Sequence, residues 1–234
     1  MIDNALDLLL NGEIEILARF TNSSNTTLLV DVAYGTLSAQ AVYKPESGER
    51  PLWDFPEGLW RREVAAYLLD DALGLGLIPP TIGRQDLPLG PGSLQLFVDE
   101  DEQAHYFTLR EELRYTETLK RLAAFDVIAN NSDRKSGHVL LTPDGIAAID
   151  HGLCFHQEDK LRTVIWDYAG DSFDPEFLTT LENISRNLPR ELEQLLSPAE
   201  IGCLVSRITD LVEAGELPYP NEDGPYPPYP WPLI

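Results

Sequence analysis

Lysine is scarce in this chain. Its 234 residues include only Lys44, Lys120, Lys135 and Lys160, and 17 basic side chains stand against 39 acidic ones, a net charge of −22. Such an acidic surface is repelled by nucleic-acid phosphates and by anionic membranes, so neither nucleic acid nor stable membrane association is expected. Cysteine is nearly absent too. Cys154 and Cys203 form no disulfide framework or metal pair, which suits a reducing compartment. Met1-Ile2-Asp3-Asn4 offers no basic stretch ahead of an apolar core, so no secretory signal is read there. The apolar runs are too short to span a bilayer. A soluble cytoplasmic protein is the expectation. The length suffices for one large domain or two small lobes without staples.

Residues 13–44 carry the first strand signals. Glu13 to Phe20 alternates polar and apolar side chains, Thr21–Asn25 is a turn cluster, and Thr26–Val32 and Ala39–Lys44 resume β-favouring residues. Three successive antiparallel strands follow from this pattern. A Pro/Gly-rich loop runs from Pro45 to Pro56. Residues 57–73 then read as a helix with Leu59, Trp60, Val64, Tyr67, Leu68 and Leu73 on one face, stopped by Gly74 and Gly76. Leu77–Thr81 reads as a connector and Gly92–Val98 as another strand. Asp99-Glu100-Asp101-Glu102 is an acidic break that divides the chain into 1–98 and 99–234. Beyond it, about 108–130 is predicted helical. Val139–Leu141 and Ile146–Ile149 form a hairpin about Thr142–Gly145, and 175–215 alternates helices with breaks at Pro189 and Pro198. The Pro/Tyr-rich tail from Pro218 is predicted extended. Its Tyr219–Trp231 stretch reads either as a polyproline ligand for a partner or as a segment packed on its own domain.

Chemistry concentrates in Asn131-Ser132-Asp133-Arg134-Lys135-Ser136-Gly137-His138 and in Asp150-His151-Gly152. Phosphoryl transfer from a metal-bound nucleotide needs this set: a carboxylate to orient the acceptor hydroxyl, a cation for the moving phosphoryl group, and groups to hold metal. Asp133 and Lys135 fill the first two roles, and His138 and Asp150 are candidate metal ligands. Asp126, in an apolar helical stretch, needs partners and reads as support for this loop, bonding backbone near Asn130 or Asp150.

The order of these parts, with Tyr43-Lys44-Pro45, Pro51-Leu52-Trp53-Asp54-Phe55-Pro56, Arg62-Glu63-Val64-Ala65 and Asn131-Ser132-Asp133-Arg134-Lys135, resembles the protein-kinase-like superfamily. The nearest branch is the phosphatidylinositol 3-/4-kinase-like one, with related bacterial toxin-type kinases and a bacterial family that carries these motifs. The resemblance is strongest over 38–68 and 125–156. It implies an α+β, bilobal, protein-kinase-like fold, with an antiparallel-sheet N-lobe and a mainly helical C-lobe. It further implies ATP and Mg²⁺ or Mn²⁺ as cofactors and transfer to an acceptor, a protein or a small molecule, that the sequence leaves unknown. Lys44 would bond the nucleotide's phosphates and Glu63 would pair with it. Asp150 would take the place of the Asp in Asp-Phe-Gly. Leu96, Phe97 and Val98 stand where a hinge lines the adenine pocket, although a core strand fits them equally.

Two departures qualify that correspondence. His138 stands where the family has Asn, and imidazole suits softer ions than Mg²⁺, so it reads either as a weak ligand favouring Mn²⁺ or as a structural histidine. No Gly-x-Gly-x-x-Gly joins the first two strands. Thr21-Asn22-Ser23-Ser24-Asn25-Thr26 stands there instead, either bonding phosphates (Asn25 among them) or forming a plain hairpin loop. Three alternatives stay open: an inactive nucleotide-binding or interaction protein, a nucleotidyl transferase on the same fold, and a hydrolase with a mixed metal site at His138, Asp150, His151, Cys154 and His156. The hydrolase leaves the lysines unexplained and matches no zinc spacing.

Overall fold

A computed structural model describes residues 4–21, 23–224 and 226–234; Met1–Asp3, Asn22 and Pro225 lie outside the described residues, and with them parts of the N-terminal, loop and tail expectations. The first half is built on a five-stranded antiparallel sheet of β1 (Glu13–Arg19), β2 (Leu28–Tyr34), β3 (Leu37–Pro45), β4 (Thr81–Arg84) and β5 (Gly92–Leu96), in the order β1-β2-β3-β5-β4. The three strands read from 13–44 are present, with a bulge in β1 between Ile16 and Ala18. Val30, Val32, Ala41, Tyr43, Leu94 and Leu96 make one buried face. Leu8 and Leu9 of α1 (Ala5–Asn11) cover it.

Helix α2 (Trp60–Leu73) follows β3 after the Pro-rich loop. The single apolar face expected for it is incomplete, because Arg62, Glu63 and Asp70 are buried as well. Each charge has a partner, as burial requires. Arg62 pairs with Glu200, and Asp70 accepts the backbone N–H groups of Leu77 (3.0 Å) and Ile78 (3.2 Å). The amino end of α2 is capped from a distance. The Glu49 carboxylate accepts N–H groups from Gly58, Leu59 and Trp60, all at 2.9 Å, satisfying donors the helix cannot. Gly74, at φ 65°, ends the helix in the left-handed conformation that glycine adopts freely.

The helix expected over 108–130 is two pieces, α3 (Tyr106–Leu109) and α4 (Thr116–Ala129), with a 3₁₀ turn at Leu113–Tyr115 between them. The hairpin is β6 (Val139–Thr142) and β7 (Gly145–Ala148). Helices α5 (Pro175–Arg186), α6 (Leu192–Leu195) and α7 (Pro198–Ala214) complete the second half. Pro198 begins a helix rather than breaking one, since Pro at the first helical position gives up no needed N–H, and Ser197 caps it. The larger core unites Leu119, Leu122, Phe125, Ile128, Leu181, Leu204 and Ile208 with Ala65, Ala66, Leu69 and Leu73 of α2. Thus α2 is wedged between sheet and helices. The tail lies along its own chain: Pro228 O accepts from Thr163 N and from Trp166 Nε1 (both 3.1 Å), and Leu233 O accepts from Ser136 N (2.8 Å). No described helix is long and apolar enough to cross a membrane.

Candidate active site

The candidate residues come from four places: the end of β3, the inner side of α2, the loop after α4, and the exit of β7. Lys44 is paired in register with Ser93, so the sheet fixes its Cα. Its Nζ lies 2.5 Å from Glu63 Oε1 and 2.6 Å from Asp150 Oδ1. Burial alone would lower the Lys44 ammonium, but Asp150 and then Glu63 outweigh it and hold it above its ordinary range. Glu63 is buried rather than on an exposed helix face, and its other oxygen accepts the His151 N–H at 2.9 Å. One carboxylate therefore orients both the lysine and the backbone just past Asp150.

Asp150 itself is half exposed and adopts φ 66°, a strained region that Asp tolerates better than most residues. Lys44, outweighing burial, holds its carboxyl far below the usual range. Its second oxygen faces His138 Nε2 at 3.3 Å. Burial drops the His138 imidazole to about 4, so it is neutral at pH 7. Its Nδ1 accepts from the Lys135 N–H at 3.4 Å, an assignment that places the ring hydrogen on Nε2, the nitrogen nearer Asp150. His138 thus faces Asp150 as a neutral ring, a placement compatible with either reading offered by the sequence.

Asp133 is fixed through its backbone, whose N–H donates to Asn131 Oδ1 at 3.0 Å, while Oδ2 meets Lys135 Nζ at 2.6 Å. Burial raises the Asp133 carboxyl and Lys135 partly offsets this. A chain of contacts therefore links the charged candidates through the neutral His138: Asp133, Lys135, His138, Asp150, Lys44, Glu63.

The remaining candidates are placed less centrally. Asn25 Oδ1 accepts from Arg50 N at 2.9 Å and Thr26 N donates to Gly48 O, so this loop is tied to the 46–50 turn. Leu96 belongs to the sheet core, its N–H bound to Pro80 O. Of the three hinge residues only Phe97 and Val98 lie beyond the strand, half-buried, with Phe97 N donating to Gln40 O. Trp60 is buried, whereas Trp53 is 87% exposed.

Sequence reasoning missed the hub beneath the loop. Arg134 is fully buried and its guanidinium grips Asp126 through contacts of 2.9–3.1 Å. It also donates to Ile149 O at 2.9 Å and reaches His151 Nε2 at 2.7 Å. Asp126 accepts further from Asn131 Nδ2 and the Thr163 hydroxyl. Its expected support role therefore runs through side chains and not through backbone at Asn130 or Asp150. The mixed hydrolase site does not form. Burial pushes the Cys154 thiol well above its usual value, His151 faces Arg134, and His156 packs edge-on to Phe55. Among the described residues no three His, Cys, Asp or Glu side chains converge on a metal position.

A magnesium nucleotide nonetheless fits the donor set. Mg²⁺ is commonly held by one or two carboxylates, with phosphate and water oxygens completing its shell, and Asp150 is a half-exposed carboxylate beside the Lys44 ammonium.

Comparisons with known proteins bear on the family and the fold. A protein of Mycobacterium tuberculosis, Rv2133c, is 38% identical across 99% of this chain and 96% of its own length. The rice phosphatidylinositol 4-kinase gamma 4 is 33% identical over 49% of this chain, which covers 24% of that longer protein. The structure of hydra Fam20 with sugar superposes with a TM-score of 0.55 at 14% identity, covering 91% of this chain and 89% of the other, a likeness of fold. The family described as phosphatidylinositol 3- and 4-kinase matches residues 61–177, half of the chain, and so leaves Lys44 outside. With that match and a relative aligned over nearly its whole length, the chain belongs to the phosphatidylinositol 3- and 4-kinase family.

Proposed function

We propose that this protein is an ATP-dependent phosphotransferase, using Mg²⁺ or Mn²⁺, that moves the γ-phosphoryl group to a hydroxyl on a protein or small-molecule acceptor. The observation that supports it most is Lys44 held between Glu63 and Asp150, with Lys135 and Asp133 linked to Asp150 through His138. Lys44 is poised to turn from Asp150 toward nucleotide phosphates, with Glu63 fixing its direction. The bound divalent ion would be held by Asp150 and would supply charge neutralisation of the phosphates. Asp133 orients the acceptor hydroxyl and takes its proton, and burial, by raising its pKa, improves it as a base. Lys135, now on Asp133, offers the cation that meets negative charge on the transferring group. Positioning and electrostatics carry such reactions. The acidic surface argues against nucleic-acid acceptors, and the two free cysteines fit a cytoplasmic setting.

The test is thermal shift with ATP and each metal, together with label transfer from γ- and α-labelled ATP to candidate acceptors by the native protein and Asp133→Ala. Absence of any nucleotide-dependent shift rejects the reading. Binding without transfer identifies a nucleotide-binding protein without kinase activity, and transfer of the α-label identifies a nucleotidyl transferase.

A further inference from the structure

Lys160 is the fourth lysine of a lysine-poor chain, and its ammonium is buried far from any role assigned above. It lies 2.7 Å from Asp54 Oδ2, with the rings of Tyr226, Trp53 and Phe55 centred 5.0, 5.3 and 5.7 Å from Nζ. Buried cations need such partners, and aromatic faces are among the few uncharged groups that supply them. The three elements gathered there are far apart in sequence: the Pro51–Pro56 loop between β3 and α2, the segment after Asp150, and the tail.

The placement repeats that of the active-site pair. Lys44 and Asp54 lie ten residues apart on the connection from β3; Asp150 and Lys160 lie ten apart on the segment leaving β7. Lys44–Asp150 and Asp54–Lys160 are thus two rungs across the same pair of segments, with the charges exchanged, at 2.6 and 2.7 Å. Beyond the second rung the segment is stitched to the catalytic loop. Lys160 N donates to Asn130 Oδ1, Arg162 N to Asn131 O, Arg134 N to Arg162 O and Val164 N to Arg134 O.

We propose that Lys160 and Asp54 are positioning residues, a standing clasp that holds the Asp150 segment against the β3–α2 connection when Lys44 and Asp150 release each other to engage a metal nucleotide. This rests on the phosphotransferase reading. The first rung must open for Lys44 to reach phosphate and Asp150 to reach metal. The second involves no group that the nucleotide needs, so it keeps Glu63, Asp150 and the catalytic loop in register through that exchange.

The experiment compares Asp54→Asn, Lys160→Met, the double variant and Lys160→Arg with the native chain. It reads melting temperature, Kd for Mg·ATP, and amide hydrogen exchange over residues 150–164 without nucleotide. Each neutralising variant is expected to raise the Kd at least fivefold and to speed exchange in that segment, while Lys160→Arg stays within twofold of native. The double variant, having no orphaned buried charge, regains melting temperature over the single variants without regaining affinity. A double variant that binds within twofold of native, with unchanged exchange, overturns the proposal and leaves a pair that only stabilises. If the native protein shows no response to nucleotide, the phosphotransferase reading falls by itself. Exchange then decides the clasp: faster exchange upholds its hold on the segment, and unchanged exchange overturns it. Should Lys160 variants not fold, Asp54→Asn carries the comparison from the partly exposed partner.

Discussion

Replacing Arg134 with Met tests whether the hub under the catalytic loop carries both stability and site geometry. The side chain is fully buried, and Met fills similar length without charge. The substitution removes the Asp126 contacts and the donations to Ile149 O and His151 Nε2, leaving a fully buried Asp126 carboxylate with only Asn131 Nδ2 and the Thr163 hydroxyl as side-chain donors. Orphaning one member of a buried ion pair costs about 3–5 kcal/mol, against a total stability of about 5–15 kcal/mol for a typical domain. Arg134→Met should therefore shift the urea midpoint strongly. Asp126→Asn combined with Arg134→Met should recover at least half of that loss, because no unpaired charge remains. Equilibrium denaturation followed by intrinsic fluorescence supplies both numbers. A single variant within about 1 kcal/mol of native would refute the reasoning, as would a double variant whose loss equals the sum of the two single losses.

Four further outcomes are expected. Asp133→Asn should keep nucleotide-dependent thermal stabilisation while slowing transfer roughly 10²–10⁴-fold, the range for losing a general base; equal loss of both would place Asp133 in nucleotide binding. Glu63→Gln removes a charge-assisted bond to Lys44, worth about 1.5–3 kcal/mol, and should weaken Mg·ATP binding about 10- to 100-fold by calorimetry, so an unchanged Kd contradicts the assignment. His138→Asn exchanges an imidazole for an oxygen donor beside Asp150 and should raise stabilisation by Mg·ATP relative to Mn·ATP; an unaltered ratio shows that His138 has no influence on metal choice. Burial raises the Asp70 carboxyl from 3.8 to about 6, so the folded state binds its proton more tightly than the unfolded state. Its contribution is most favourable below pH 3.8 and falls as pH rises through about 6, by about 3 kcal/mol at most. The stability of native minus Asp70→Asn should decline across that window, and a flat or rising difference excludes the effect.

Alternation of side chains exposed the first three strands because one face of the sheet is buried and the other solvated. It failed where burial comes from both sides or where elements are short. Thr81–Arg84 follows Pro79-Pro80 and carries Gly83, so nothing in its pattern marks an edge strand. Helix α1 spans only Ala5–Asn11 and begins without a side-chain cap. The break before α4 contains neither Gly nor Pro; Arg110–Leu113 looks helical in isolation, yet Leu113 is left almost fully exposed. At the site, Lys44 and Glu63 become a pair in sequence only through family resemblance, since nineteen residues and a loop separate them. Arg134 stayed hidden for another reason. An arginine between Asp133 and Lys135 in a polar turn looks solvent-facing, and only the convergence of Asp126 from α4 with Ile149 and His151 from the segment leaving β7 shows it as the residue they share.

The acidic composition and the cation-lined cleft act at different distances. At physiological ionic strength a charge is largely screened beyond about 8 Å, so the surplus carboxylates of the surface repel an approaching polyanion mainly through a short-lived outer field. At the site Lys44 and Lys135, with the buried Arg134 beneath them, lie within contact range of carboxylates, where screening is weak. Each is matched to a carboxylate, so the site holds its cations at fixed positions without the mutual repulsion of a bare basic cluster. On the proposed phosphotransferase reading, an incoming phosphate would exchange with a carboxylate for a lysine that is already mostly buried and aimed. The acidic surface thereby sets the rate and the salt dependence of encounter, and the paired lysines set what the cleft holds once encounter has occurred.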